Sequence, residues 1–449
     1  MPAGYPISSA GPRFLSLTAI PMMSDGGNGS AVLTRVLSSG GMPVPRLVRS
    51  SLLVGGILLL GGLCWLVALR KSDLSREALS RINREARREL AAGSPEAALA
   101  VLQPALRPEV NDARIWEGAG AAYLSLRRGP EAVEAYDRIP PESEEWESSR
   151  LGLARAILLQ GNWDRALGIL EEATARHPAD LPALEELRWL QFNLVRPRHA
   201  AETLTRKLVA GDLGALPDLL ETAHRPPVPQ ESLRVLADVD IKFPAQPAVK
   251  LALGRCRWYL GELPAARELM MEALRLRPED PLTRLTIAEF LLEEGEADEA
   301  ERLLSPMAES AIPGDRNVSP LITLDKERYW SLRSQVLERH GDLEGSLAAL
   351  EKGESFGSPR VEWLTRRASL LRVLRRTDEA REVARLAEAS AAAERELGEL
   401  VDSGKHRNPG VAEARSIAAA CRVLKRDAEV EGWQVIAARL AGPPPGRRP

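Results

Sequence analysis

The side chains able to carry chemistry are few and scattered. The five histidines, His177, His199, His224, His340 and His406, never stand four residues apart, the spacing at which one helical face presents two imidazoles to a metal. His177 directly precedes Pro178, a place for a structural or solvent-facing ring. The cysteines Cys64, Cys256 and Cys421 lack the paired spacing of a metal ribbon or a disulfide framework. Cys256 and Cys421 suit small buried packing positions. The sequence contains neither a GxxxxGK[ST] phosphate loop nor a GxSxG elbow. Carboxylates abound but alternate with arginine, as on a solvated helix surface. These residues predict no catalytic centre, no cofactor and no metal. With 60 basic and 63 acidic residues, for a net charge of −3, no global field recruits nucleic acid.

What the chain does carry is a ladder of small residues. Ala98, Ala132, Ala166 and Ala200 follow one another at steps of 34, as do Ala266 and Ala300, and Ser346 and Ala380. A large apolar residue stands four places later in Leu102, Tyr136, Leu170, Leu204, Met270, Leu304 and Leu350, and a glycine five places earlier in Gly93, Gly161, Gly261, Gly295 and Gly341. Pro178 and Pro278 recur in phase twelve places after their alanines. A fixed period of this length marks a repeat architecture. The small residue lets two helices cross closely, the glycine turns the chain between them, and the large residue fills space on the same helical face. One such pair cannot bury its apolar face alone, so neighbours must stack.

These residues resemble the tetratricopeptide repeat, which has this period and this kind of pattern. The resemblance implies an all-α solenoid of about eight to nine helix hairpins. Low aromatic content, 4%, suits tightly crossed helices and argues against an aromatic-rich β fold.

Read in order, residues 1–45 are rich in Gly, Ser and Pro and read as disordered. Residues 50–70 predict a transmembrane helix: Leu52 to Leu69 is a run of 18 uncharged, mostly apolar residues bracketed by Arg46 and Arg49 before and Arg70 and Lys71 after. A cleaved signal peptide or a lipoprotein signal fits less well, because Leu66-Val67-Ala68 is a poor cleavage site and Leu63 precedes Cys64. Counted alone, the arginines after the span keep the repeats inside. Most of them, however, belong to the first repeat helix, and MPVPRLVRSS from Met42 has the order of a signal anchor whose C-terminal part is exported. The expectation is a single-pass protein of a bacterial inner membrane with extracytoplasmic repeats. Residues 73–212 hold four contiguous repeats, the second with Trp116, Gly120 and Tyr123 at the family's positions. Residues 213–246 form a degenerate copy, broken by Pro217, Pro226, Pro227 and Pro229, where the superhelix bends. Repeats resume over 247–401, with an insertion near 311–320. One amphipathic capping helix is expected over 409–441, followed by a disordered tail, 442–449.

In tetratricopeptide domains the concave groove is built mainly by the first helix of each repeat. Carried onto this register, the resemblance places Arg155, Leu158, Trp189, Phe192, Asn193, Leu251, Arg255, Trp258 and Tyr259 towards the hollow. Aromatic anchors with guanidinium forks are suited to binding a protein or peptide partner. The alternative, which the degenerate unit between them favours, is that Trp189, Phe192 and Trp258 are packing between neighbouring repeats. The two-lysine, two-asparagine clamp that the family uses for chaperone tails is not reproduced.

The functional expectation is a membrane-anchored scaffold for protein–protein interaction, in envelope assembly or the organisation of a complex, and not an enzyme. The alternative is a substrate-recognition subunit of an enzyme complex, such as a glycosyltransferase or a cytochrome c maturation machinery. About 55 residues outside the array at the C-terminus are too few for a catalytic domain of its own.

Overall fold

The computed structural model describes residues 75–225, 229–307, 320–357 and 360–442, all within the compact unit Asp73–Pro449. The predicted span at 50–70 and most of the insertion near 311–320 lie outside the described residues. So do the segments 1–45 and 443–449. Among the described residues every regular element is helical, and no helix is long and apolar enough to cross a membrane.

Four hairpins come first: α1 (Arg76–Ala91) with α2 (Pro95–Leu102), α3 (Ala113–Ser125) with α4 (Gly129–Asp137), α5 (Glu145–Gln160) with α6 (Trp163–Arg176), and α7 (Leu181–Asn193) with α8 (Pro197–Val209). Their starts are written in short polar side chains. Asp112, Asn162 and Asp180 each accept a hydrogen bond from a first-turn amide of the helix that follows, satisfying donors that have no partner one turn earlier.

The turn inside each hairpin takes one left-handed residue. It is Gly93, Gly161, Gly261, Gly295 or Gly341 in five hairpins, and Arg127, Val195, Arg375 or Lys425 in four others. Five residues on, Ala98, Ala132, Ala166, Ala266, Ala300 and Ser346 are fully buried, and Ala200 and Ala380 nearly so. The small residues of the ladder therefore hold equivalent places at the helix crossings, as the spacing predicts.

After α8 the regular stacking stops. Helix α9 (Ala215–His224) packs on α8, whereas α10 (Pro229–Lys242) packs on the helix after it, α11 (Pro247–Tyr259). The break between them follows from Pro226, which forces Arg225 into an extended conformation, φ −124° and ψ 99°. The two helices of the degenerate unit thus serve different neighbours, and of α10 only Leu236 is buried.

Regular hairpins resume as α11 with α12 (Leu263–Leu276), α13 (Pro281–Glu293) with α14 (Ala297–Leu304), α15 (Pro320–Arg339) with α16 (Leu343–Glu354), and α17 (Val361–Val373) with α18 (Thr377–Asp402). This second array is seated on the side of the first. The Gln246 side chain accepts from the Trp163 amide at 2.7 Å and donates to the Gly161 carbonyl at 2.9 Å. Asp164 accepts from the Ala248 amide at 3.0 Å and so caps α11 from another repeat.

The capping helix expected over 409–441 is instead a further hairpin, α19 (Val411–Val423) with α20 (Asp427–Ala441). Its turn is at Lys425, φ 55°, with Val430 where the other hairpins carry alanine or serine. Neither residue announces a turn, so the sequence pattern reads through it. This hairpin folds back onto the middle of the chain. Trp433, Ile417, Cys421 and Leu397 share one core cluster with Leu208 of α8 and with Leu216 and Leu220 of α9. Arg225 donates to the Val401 carbonyl at 3.2 Å, and Arg407 pairs with Glu221. The second array therefore curls round α8 and α9 and closes on them.

Candidate functional site

The residues expected in one continuous groove fall into two places. Arg155 of α5 bridges to Glu186 of α7 at 3.0 Å, one of a row of links between successive first helices that also includes Arg87 to Glu117 at 3.0 Å and Ser148 to Glu117 at 2.7 Å. Leu158 and Trp189 are partly buried at the margin of the core cluster that contains Val249, Leu253 and Cys256 of α11. The Trp189 ring packs on Trp163, centroids 5.8 Å apart. Its role in packing is plain. Phe192, three residues on, is half-buried, and the Asn193 side-chain amide donates to the Trp189 carbonyl at 2.8 Å. Leu251 is core.

Arg255, Trp258 and Tyr259 stand elsewhere, on the inner face of the second array. The Arg255 guanidinium donates to the Tyr259 hydroxyl at 3.1 Å. Trp258 stacks on Tyr259, centroids 5.7 Å apart, meets Phe290 edge-on at 5.6 Å, and donates its indole N–H to Glu293 at 3.0 Å. Opposite them lies the first turn of α8, so a helix of the chain itself occupies the hollow of the second array.

Between the two faces remains a cavity of about 330 Å³. On the α8 side it is lined by Arg196, Arg198 and His199, and on the array side by Arg255, Trp258 and Tyr259, with Glu289, Glu293, Asp325 and Arg328 along the wall. Pattern reading missed the α8 contribution because Arg198 belongs to a second helix, which faces away from the groove in a simple stack.

The electrostatics of this wall are those of a low-dielectric polar site. Arg328 pairs with Glu289 and donates to the Thr286 hydroxyl at 3.2 Å. Burial raises the Glu289 carboxyl, but Arg328, Arg198 and Arg255 outweigh it and hold the group below the usual carboxylate range. His199 Nε2 lies 3.6 Å from Asp325. Burial pulls its pKa down against that carboxylate, so the ring is held neutral. Burial also lowers the Arg198 pKa, to about 10, with Arg360 and Arg328 adding repulsion.

The remaining histidines are dispersed. His177 faces Glu147 at 3.2 Å, His340 lies between Asp298 and Glu301 at 2.9 and 3.3 Å, and His406 lies 3.8 Å from Glu221. Among the described residues no group of three or more His, Cys, Asp or Glu side chains is placed to hold a metal. Both Cys256 and Cys421 are buried thiols, the first pushed up to about 11 by burial.

Two segments, residues 83–145 and 259–311, match the tetratricopeptide repeat family. No curated protein matches the chain. Among solved structures, a tetratricopeptide repeat protein from Parabacteroides merdae is 17% identical, with 57% of this chain and 98% of that one covered and a TM-score of 0.32. The Cut9–Hcn1 hetero-tetramer of the APC/C is 12% identical over 88% of each chain, TM-score 0.32. PilF of Pseudomonas aeruginosa is 18% identical over 47% of this chain and 92% of its own, TM-score 0.25. None of these likenesses bears on what the chain binds.

Proposed function

The chain is a tetratricopeptide-repeat protein, and we propose that it is a membrane-anchored scaffold that binds protein partners through its helical-repeat surface and catalyses no reaction. The observation that carries this reading is the row of first helices in the first array, joined through Arg87, Glu117, Ser148, Arg155 and Glu186. Such a row is a stiff, extended surface, and repeat proteins use surfaces of this kind for recognition. Because α8 takes up the hollow of the second array, the first array is the part that a partner reaches. Phe192 and Asn193 stand at the α7 end of its row, with Arg155 one hairpin earlier.

Anchoring rests on the apolar run from Leu52 to Leu69 and its basic flanks. An uncleaved anchor with Arg46 and Arg49 on the cytoplasmic side leaves the repeats outside the inner membrane, where envelope assembly takes place. Affinity capture of the full-length chain from native membranes, with a reporter fused at residue 449, tests both parts. A protein partner retained by wild type and lost by Phe192→Ala and Arg155→Gln at unchanged helicity supports the scaffold. A chain released by alkaline carbonate washing, or capture indifferent to both substitutions, refutes it.

A further inference from the structure

We propose that the cavity between the first turn of α8 and helices α11, α13 and α15 binds a small oxyanion, carried as a phosphate monoester or a carboxylate and gripped by Arg198 and Arg255. This goes beyond the scaffold reading and does not depend on a protein partner.

Arg255 is 8% exposed, with its Nε buried and without a hydrogen-bond partner among the described residues. Among the described residues its one side-chain bond goes to a neutral phenol, Tyr259, and it forms no direct ion pair, its charge reaching Glu289 only across the cavity wall. Burying a guanidinium in this way is costly unless an anion completes the site. Arg328, 6% exposed, has the same buried Nε without a partner.

Two of the carboxylates on the wall already have a donor, whereas Asp325 Oδ1 is buried without a hydrogen-bond partner among the described residues. Glu289 takes Arg328, Glu293 takes the Trp258 indole at 3.0 Å, and Asp325 faces His199 at 3.6 Å. Arg198 is exposed and, among the described residues, forms no direct ion pair with any of them, although its charge acts on Glu289.

The start of α8 points the same way. The helix runs 13 residues, opens with Arg196-Pro197-Arg198-His199, has no acidic residue in its first turn and no side-chain cap. A helix N-terminus carries partial positive charge, so two arginines there are unfavourable by themselves and favourable around a bound anion. Rules of local sequence preference are broken in this manner at functional sites.

Size selects the class of ligand. A volume of about 330 Å³ is at the lower end for small-molecule sites and too small for a folded or extended peptide. The stacked Trp258 and Tyr259 rings offer a flat wall for the organic body of the ligand.

Calorimetric titration of the full-length chain in detergent, with inorganic phosphate in one arm and succinate in another, tests the assignment against chloride at equal ionic strength. One saturable site for at least one probe is expected, and the arm that binds tells phosphate from carboxylate. Arg198→Gln and Arg255→Gln should each weaken it by about tenfold or more, the worth of one charge-assisted hydrogen bond, while Arg302→Gln on the open surface leaves it unchanged. Without either probe, Arg198→Gln should melt no lower than wild type, because it removes a charge that has no direct ion pair among the described residues and is repelled by Arg360 and Arg328. The proposal is overturned if neither probe saturates, if both cavity variants bind as wild type does, or if Arg198→Gln alone melts well below wild type.

Discussion

The Tyr136 ring lies directly against Gly120, sixteen residues before it, so that a Cβ on the glycine would meet the ring at 2.7 Å. Met270 lies in the same way against Gly254, again sixteen residues apart, with 2.7 Å to its Cγ. The second helix of each hairpin thus pushes a large side chain into space that the first helix leaves by having none. Gly120→Ala and Gly254→Ala should each destabilise the fold by about 1–3 kcal/mol, the usual cost of overpacking a closed interior. Urea unfolding followed by circular dichroism checks this, and a variant as stable as wild type would show that the crossings have slack.

The turn positions separate backbone cost from packing. Gly261 has φ 76° and no atom within 4 Å of where a Cβ would stand, so Gly261→Ala should cost about 1 kcal/mol through the backbone alone. At the equivalent Arg375, φ 63°, replacement by glycine relieves the same strain while loosening the unfolded chain. Arg375→Gly should therefore be near neutral, within about 1 kcal/mol. Opposite outcomes in a pair of thermal melts would refute the equivalence of the two turns.

Closure of the second array is open to a direct test. Trp433 is fully buried in the cluster that joins α20 to α8 and α9. Trp433→Ala should cost about 3–5 kcal/mol, and its effect should be remote in sequence. Hydrogen exchange in Ala215–His224 should rise together with that in Asp427–Ala441. Faster exchange in the terminal hairpin alone would mean that α9 does not depend on it.

The neutral state of His199 makes stability depend on pH with a definite sign. Burial holds its folded-state pKa below the ordinary 6.5, against Asp325 and with Arg196 and Arg328 nearby. Unfolding restores the ordinary value, so below about pH 6.5 the unfolded chain binds the proton more readily and stability falls as pH drops. Glu171 and Glu202, raised by burial, act in the opposite sense, their protonation favouring the folded chain as pH drops towards the ordinary carboxylate value. The comparison that isolates the histidine is the loss of melting temperature between about pH 7.5 and 5.5 in wild type and in His199→Gln. The loss should be smaller in the variant, and an equal loss would rule out the assignment.

Much of this architecture was legible from the residues alone, because close helix crossings need small side chains at one fixed place per repeat. That requirement is local, and it repeats with the chain. Ala98, Ala132, Ala166 and Ala266 therefore announced their hairpins, and Gly93 and Gly161 their turns. The last hairpin was hidden for an equally local reason: a left-handed residue without glycine costs only about 1–2 kcal/mol, which Lys425 meets without leaving a mark in the pattern.

What no spacing announced is the course of the chain after its proline break. Gln246 binding at Trp163, and Trp433 joining Leu216, are contacts between segments far apart, decided by which apolar and polar faces remained to be covered once the local hairpins had formed. The cavity belongs to the same class. Arg198 and Arg255 lie on different arrays and share no period, and they face one another only because the second array closes round α8. Local sterics determined the hairpins, and the burial of their leftover faces decided where the arginines of the two arrays meet.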